Sequence, residues 1–269
     1  MPALIITAII ILTLPVYLIF PGHAKKKKKD AFYKRNIAHR GLFDRDQLVP
    51  ENSLPAFWRA VDRGYGVELD VQLSEDGRVV VFHDDDLKRA CKVERRVDSV
   101  DFAGLQNLSL FDTTEKIPLF TDVLNILGGK VPVIVELKTG KRNKELCQKT
   151  LDILRGYNGE YCIESFDPFI VSWFRFHAPN IMRGQLTQHP KDFKGSAPAI
   201  AAFILGNVLF NFLSRPHFIA HRIGKKTPLV HLSEFFGAMK VAWTAHDKTA
   251  ERDFDTVIFE HYLPDIKYK

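Results

Sequence analysis

Residues 66–72 read Gly66-Val67-Glu68-Leu69-Asp70-Val71-Gln72, an apolar run broken by two acids two positions apart. Two-residue spacing is the repeat of a β-strand, so Glu68 and Asp70 project to the same face. Two hard oxygen ligands on one face, with His39-Arg40-Gly41 upstream and His83-Asp84 downstream, point to a divalent cation acting on a phosphate ester.

Outward from this segment, strand-like runs recur. They cover Asn36–His39, Gly66–Gln72, Val79–His83, Val131–Leu137, Tyr161–Glu164, Met182–Leu186, Phe218–Ala220, Lys240–Thr244 and Thr256–Glu260. Helices are expected at Ser53–Arg63, Phe120–Leu127, Lys144–Arg155 and Pro168–His177, with Asn52 or Ser53 as N-cap and Pro55 in the first turn. Alternation of this kind suits a parallel α/β domain closed as a (β/α)₈ barrel, although the strand list has one member too many. In such a barrel the active site is built at the C-terminal ends of the strands. His39, Glu68, Asp70, His83, Glu136 and Lys138 all fall at or near an expected strand end, on four strands. Asp84, Asp85 and Asp86 are expected to form a solvated loop.

The basic pI of about 9.1 comes from one block. Residues 1–35 hold seven of the 38 basic side chains and one of the 32 acidic ones, leaving 31 of each sign beyond. That balance argues against a nucleic-acid partner. The block follows an uncharged run from Pro2 to Phe20, long enough as a helix for the ~30 Å hydrocarbon core of a bilayer. The expectation is an N-terminal transmembrane anchor over 1–24, a polybasic juxtamembrane linker over 25–35 and the barrel domain over 36–269. Lys25–Lys29 place the catalytic domain on the cytoplasmic side of the cell membrane in a single-pass topology, and would sit against anionic lipid. Cys91, Cys147 and Cys162 show neither a disulfide framework nor a metal pattern.

The ordered motifs His39-Arg40-Gly41, Pro50-Glu51-Asn52-Ser53, Glu68-Leu69-Asp70-Val71, Asp76-Gly77, His83-Asp84, Ile117-Pro118-Leu119-Phe120, Glu136-Leu137-Lys138 and Ser165-Phe166-Asp167 closely resemble the glycerophosphodiester phosphodiesterase family. Trp243-Thr244 and Asp255–Glu260 continue the likeness, which covers about residues 36–262. The resemblance implies a (β/α)₈ barrel that hydrolyses glycerophosphodiesters to glycerol 3-phosphate and an alcohol. It implies Glu68, Asp70 and Glu136 as ligands of one divalent cation, and three carboxylates favour Mg²⁺ or Ca²⁺ over zinc. His39 and His83 match an acid–base pair, with His39 as base and His83 as acid the preferred order. Arg40 matches a phosphate-binding arginine and Lys138 a second positive charge beside the phosphate. Trp243 and Glu51 are further candidates for substrate contact, Glu51 equally for hydrogen bonding to His39 or for helix capping.

Two rivals stand beside this reading: a lysophospholipase D acting on lysophospholipids, and a catalytically silent barrel that binds head groups at the membrane. The chain departs from the family pattern at Ala245-His246, and in the uncharged stretch Ser196–Ser214, read as a barrel-packing helix or as a segment dipping into the membrane interface. The histidines other than His39 and His83 show no ligand spacing and receive no role.

Overall fold

The computed structural model describes residues 13–269. Its strands are β1 (Arg35–Ala38), β2 (Gly66–Leu73), β3 (Val79–Val81), β4 (Val133–Leu137), β5 (Tyr161–Ser165), β6 (Met182–Thr187), β7 (Phe218–Arg222), β8 (Met239–Ala245) and β9 (Thr256–Phe259). They hydrogen-bond in the order β1-β9-β8-β7-β6-β5-β4-β2-β3, and a further β1–β2 pairing joins the ends. All pairs are parallel except β2 with β3, so eight strands close a barrel and β3 folds back as an antiparallel flap. The strand in excess is therefore Val79–Val81, and His83 follows a hairpin rather than a barrel strand.

The alternation of β2 sorts its side chains as expected for a strand buried on both faces. Val67, Leu69 and Val71 join the core between sheet and outer helices, together with Val133, Val135 and Leu137 of β4. The intervening positions face the barrel axis. There Ile134, Cys162, Met182, Phe218, Ala220 and Met239 form an apolar lower layer, with Phe32 packed into it. Above it lies an acidic layer, because the register pairs Asp70 with Glu136 and Glu136 with Glu164.

The helix Leu54–Asp62 begins where expected: Ser53 Oγ accepts from the Ala56 amide and Pro55 occupies the first turn. Such a cap contributes about 1 kcal/mol. Between β3 and β4 a satellite core of Val80, Phe82, Leu87, Val97, Leu105 and Ile117 carries the chain across the rim.

Most of the run expected to span a membrane lies outside the described residues. Residues 13–19 of it are helical, and no helix among the described residues is long and apolar enough to cross a membrane. The described end packs on the barrel: Ile19 is fully buried against Val208, Ile219, Val230 and Ala238. Its carbonyl accepts from Asn211 Nδ2 at 3.2 Å and from Ser233 Oγ at 2.9 Å. Downstream, the short helix Lys26–Asp30 sits at the end where strands begin, with Lys28 3.2 Å from Glu160. The stretch 196–214 is neither one helix nor fully packed. It forms helices Ala199–Gly206 and Asn211–Ser214, burying Ala202 and Val208 but leaving Ile200 and Phe203 exposed.

Candidate active site

The loop after β1 turns sharply at Arg40 and Gly41, both left-handed with φ of 53° and 82°. Glycine is required at 41: a Cβ there would stand 2.8 Å from the carbonyl carbon of Ala56. The turn aims the Arg40 amide at Glu68 Oε2, 3.0 Å away. Asn52 is also left-handed, at φ 54°. Its amide donates to the Arg40 carbonyl at 2.9 Å and its side chain donates to Asp70 Oδ2 at 2.9 Å. Two non-glycine residues in this region mark a strained, over-determined corner.

Glu68, Asp70 and Glu136 are buried, and one oxygen from each lies within 4.8 Å of the others. Crowding splits their acidities. Burial first, then the charges of Asp70 and Glu136, pushes Glu68 well above the usual carboxyl range. Burial alone would raise Asp70 as well, but Lys138, His83, Arg40 and the Asn52 amide outweigh it and hold it far below that range. Glu136 is raised by burial, which Lys138 only partly opposes. Glu164, in the same layer, is raised by burial and by Glu136 and Asp70, and its Oε2 has no hydrogen-bond partner.

Both histidines are held by carboxylates: Glu260, which received no role from the sequence, and Asp84, which was expected in a solvated loop. His39 Nδ1 lies 2.7 Å from Glu260 Oε2, and His83 Nδ1 lies 2.6 Å from Asp84 Oδ1. Burial and then Arg40 lower the His39 pKa, against the pull of Glu260. Burial disfavours the charge on Glu260, but the bond to His39 prevails and its carboxyl falls to about 2. Asp84 is thus not simply part of a solvated loop: Arg89 Nε also donates to its Oδ2 at 2.6 Å. His246 and His261, given no role from the sequence, stand 3.7 and 3.5 Å from Glu260 Oε1. The signal for Glu260 was present in the closing motif, at the end of the last strand.

A cavity of about 730 Å³ opens at this end of the barrel, lined by His39, Arg40, Glu51, Glu68, His83, Glu136, Glu164 and Trp243, among others. Asp70 and Lys138 stand behind that lining. Lys138 Nζ donates to Glu136 Oε1 at 2.9 Å and lies 3.3 Å from Asp70 Oδ1, so its charge is directed at the acids. The Glu51 carboxylate accepts from Arg40 at 2.8 Å and from Arg89 at 2.6 Å. Trp243 Nε1 donates to the Ala220 carbonyl at 3.0 Å while its ring meets Phe166 edge-on at 5.5 Å. The triad fits a divalent cation. Four buried carboxyls face two cationic side chains, Arg40 and Lys138, and an all-oxygen set without sulfur or imidazole suits a hard ion. Left uncompensated, such a cluster costs several kcal/mol.

The model of the glycerophosphoryl diester phosphodiesterase family matches residues 39–259, and the chain belongs to that family. A glycerophosphodiester phosphodiesterase of Caldanaerobacter subterraneus subsp. tengcongensis is 33% identical over 56% of this chain and 66% of its own length. A human lysophospholipase D is 28% identical over 53% of this chain, which spans about half of that relative. Among solved structures, an Oleispira antarctica phosphodiesterase in complex with sn-glycerol-3-phosphate superimposes with a TM-score of 0.69, covering 86% of this chain and 94% of that one at 22% identity. That likeness shows the shared barrel fold.

Proposed function

We propose that this member of the family hydrolyses glycerophosphodiesters to glycerol 3-phosphate and an alcohol. The carrying observation is that Glu68 and Glu136, with Asp70 close behind them, share one cavity with two carboxylate-anchored histidines. The naming of the bacterial relative and of the glycerol-3-phosphate complex supports the substrate class.

Glu68, Asp70 and Glu136 would hold one Mg²⁺ or Ca²⁺. When bound, that ion supplies Lewis-acid polarisation of the phosphoryl oxygens. The chain's own residues do the remainder. Glu260 takes the Nδ1 proton of His39 as a hydrogen bond, which leaves Nε2 with its lone pair. A lowered pKa keeps that ring neutral, so His39 serves as general base for the attacking hydroxyl or water. Asp84 anchors His83 at Nδ1 and so orients it as the acid that protonates the departing alkoxide. Arg40, fixed by Glu51, presents its guanidinium to the phosphoryl oxygens. Glu51 and Lys138 act as positioning residues, on Arg40 and on the triad respectively.

The same reading keeps the cell-membrane anchor over the N-terminal run and a cytoplasmic barrel. It is supported by the uncharged stretch 2–20 followed by Lys25–Lys29. Alkaline extraction of membranes should leave the full chain in the pellet; full release rejects the anchor.

The enzymatic assignment is tested by incubating the protein with glycerophosphocholine and Mg²⁺ or Ca²⁺. Equimolar glycerol 3-phosphate and choline are expected. Phosphocholine and glycerol, or no product, would overturn it and favour cleavage of the other ester bond or a silent scaffold.

A further inference from the structure

Beyond Trp243 the polar mouth opens into a second groove, of about 940 Å³, running between the helix Pro168–His177 and the segment 196–210. His83, Phe166, Gln188 and Trp243 line both recesses, so they share a wall beside the proposed general acid. The chemistry changes across that wall. The far side is built from Phe169, Phe193, Ile200, Ile204, Leu205 and Phe210, with no lysine or arginine among its lining residues. Asp167 also borders it, yet its carboxylate caps the helix at the Phe169 amide, 2.8 Å away, and accepts from Asn143 at 2.9 Å. The Trp243 N–H is already bonded to Ala220, so the indole shows the groove a hydrocarbon face.

The lip is unusually oily for a water-facing edge. Phe169 is 61% exposed and Ile200 77% exposed. Ring contacts continue the patch from Phe169 to Phe210, 5.6 Å apart, to Phe212 at 6.2 Å and on to Tyr17 at 6.0 Å. An apolar trough joined end-on to a polar pocket is the complement of an amphiphile, with the charged head on one side and hydrocarbon on the other.

The geometry points to an acyl-chain subsite: the groove takes one long acyl chain attached to the phosphodiester whose phosphate lies in the mouth. This rests on the proposed hydrolysis and extends its substrate class from deacylated diesters to single-chain ones. The chain can hang from the glycerol or from the alcohol. The two sources share the chemistry that the groove recognises.

The test compares kcat/KM, below the critical micelle concentration, for glycerophosphocholine, palmitoyl lysophosphatidylcholine and N-palmitoyl glycerophosphoethanolamine. Wild-type protein should favour one of the acylated substrates by roughly tenfold or more. Ile200→Asp, at an exposed position, and Ile204→Asn, deeper in the groove, should abolish that preference while glycerophosphocholine turnover stays within about twofold. Glycerophosphocholine turnover doubles as the check on folding, and where Ile204→Asn lowers both activities Ile200→Asp decides. Wild-type protein that shows no preference, or variants that keep it, overturn the inference. Activity on glycerophosphocholine alone sinks only the subsite; activity on none of the three sinks the proposed hydrolysis and the subsite with it.

Discussion

His39 Nδ1 and Glu260 Oε2 lie 2.7 Å apart across the closing seam of the barrel, joining the residue after the first strand to the residue after the last. The bond fixes which ring nitrogen carries the proton, and through that the direction in which His39 can act.

Glu260→Gln should therefore lower kcat by about 10- to 1000-fold with a smaller change in KM. Because Glu260 raises the His39 pKa, its neutral replacement should move the acidic limb of the kcat/KM profile to lower pH. A profile of unchanged shape and position, measured between pH 5 and 9, would remove Glu260 from the mechanism.

The acidic triad makes opposite predictions with and without cation. A group whose folded pKa lies above its unfolded value stabilises fully below the unfolded pKa and loses that contribution as pH rises through the folded one. Glu68 is such a group, so at neutral pH it burdens the cation-free fold. Glu68→Gln should raise the cation-free stability by about 1–3 kcal/mol and remove the Tm increase that Mg²⁺ or Ca²⁺ gives the wild type. A variant whose Tm still climbs with the cation would place the ion elsewhere.

Gly41→Ala combines a left-handed φ of 82° with a Cβ 2.8 Å from the Ala56 backbone. Denaturant unfolding should show a loss of about 1–3 kcal/mol, since the Ala56 backbone cannot swing aside as a flexible side chain would. Turnover should fall further than stability, because the same turn aims the Arg40 amide at Glu68. An unchanged unfolding midpoint would contradict the strained-corner description.

His217 offers a pH test remote from the cavity. Burial, then Arg183, lowers its pKa to about 3, against about 6.5 when unfolded. The folded pKa is depressed, so the unfolded chain binds the extra proton between those values. Stability from this group is full above pH 6.5 and declines by up to about 1.4 kcal/mol per pH unit below it. His217→Gln should flatten that decline in urea titrations; an identical slope would assign the acid sensitivity to other groups.

Much of this architecture was legible in the chain, for identifiable reasons. Strands buried on both faces, such as Gly66–Leu73 and Val133–Leu137, announce themselves by β-branched runs, and Asn52-Ser53 followed by Pro55 marks a helix start to within a residue. The hairpin strand Val79–Val81 carries the same local signal as a barrel strand, and only its antiparallel pairing, a long-range fact, sets it apart. For the site, the two-residue spacing of Glu68 and Asp70 located the acids. Glu164 and Glu260 escaped because their importance lies in register and barrel closure: Glu164 meets Glu136 across β4 and β5, and Glu260 meets His39 only once the sheet has curled shut. Lys138, expected as a second positive charge beside the phosphate, also holds Asp70 and Glu136, a contact that spacing along the chain does not reveal.

The division of labour between the two imidazoles is the central claim, and leaving-group chemistry tests it most directly. Turnover of glycerophosphocholine should be compared with that of the 4-nitrophenyl ester of glycerol 3-phosphate, whose phenolate departs without needing a proton. His39→Ala should lose activity on both esters, whereas His83→Ala should lose it on glycerophosphocholine and recover most of it on the nitrophenyl ester. Near-normal turnover of glycerophosphocholine by either variant, or equal loss on both esters by His83→Ala, would contradict the account.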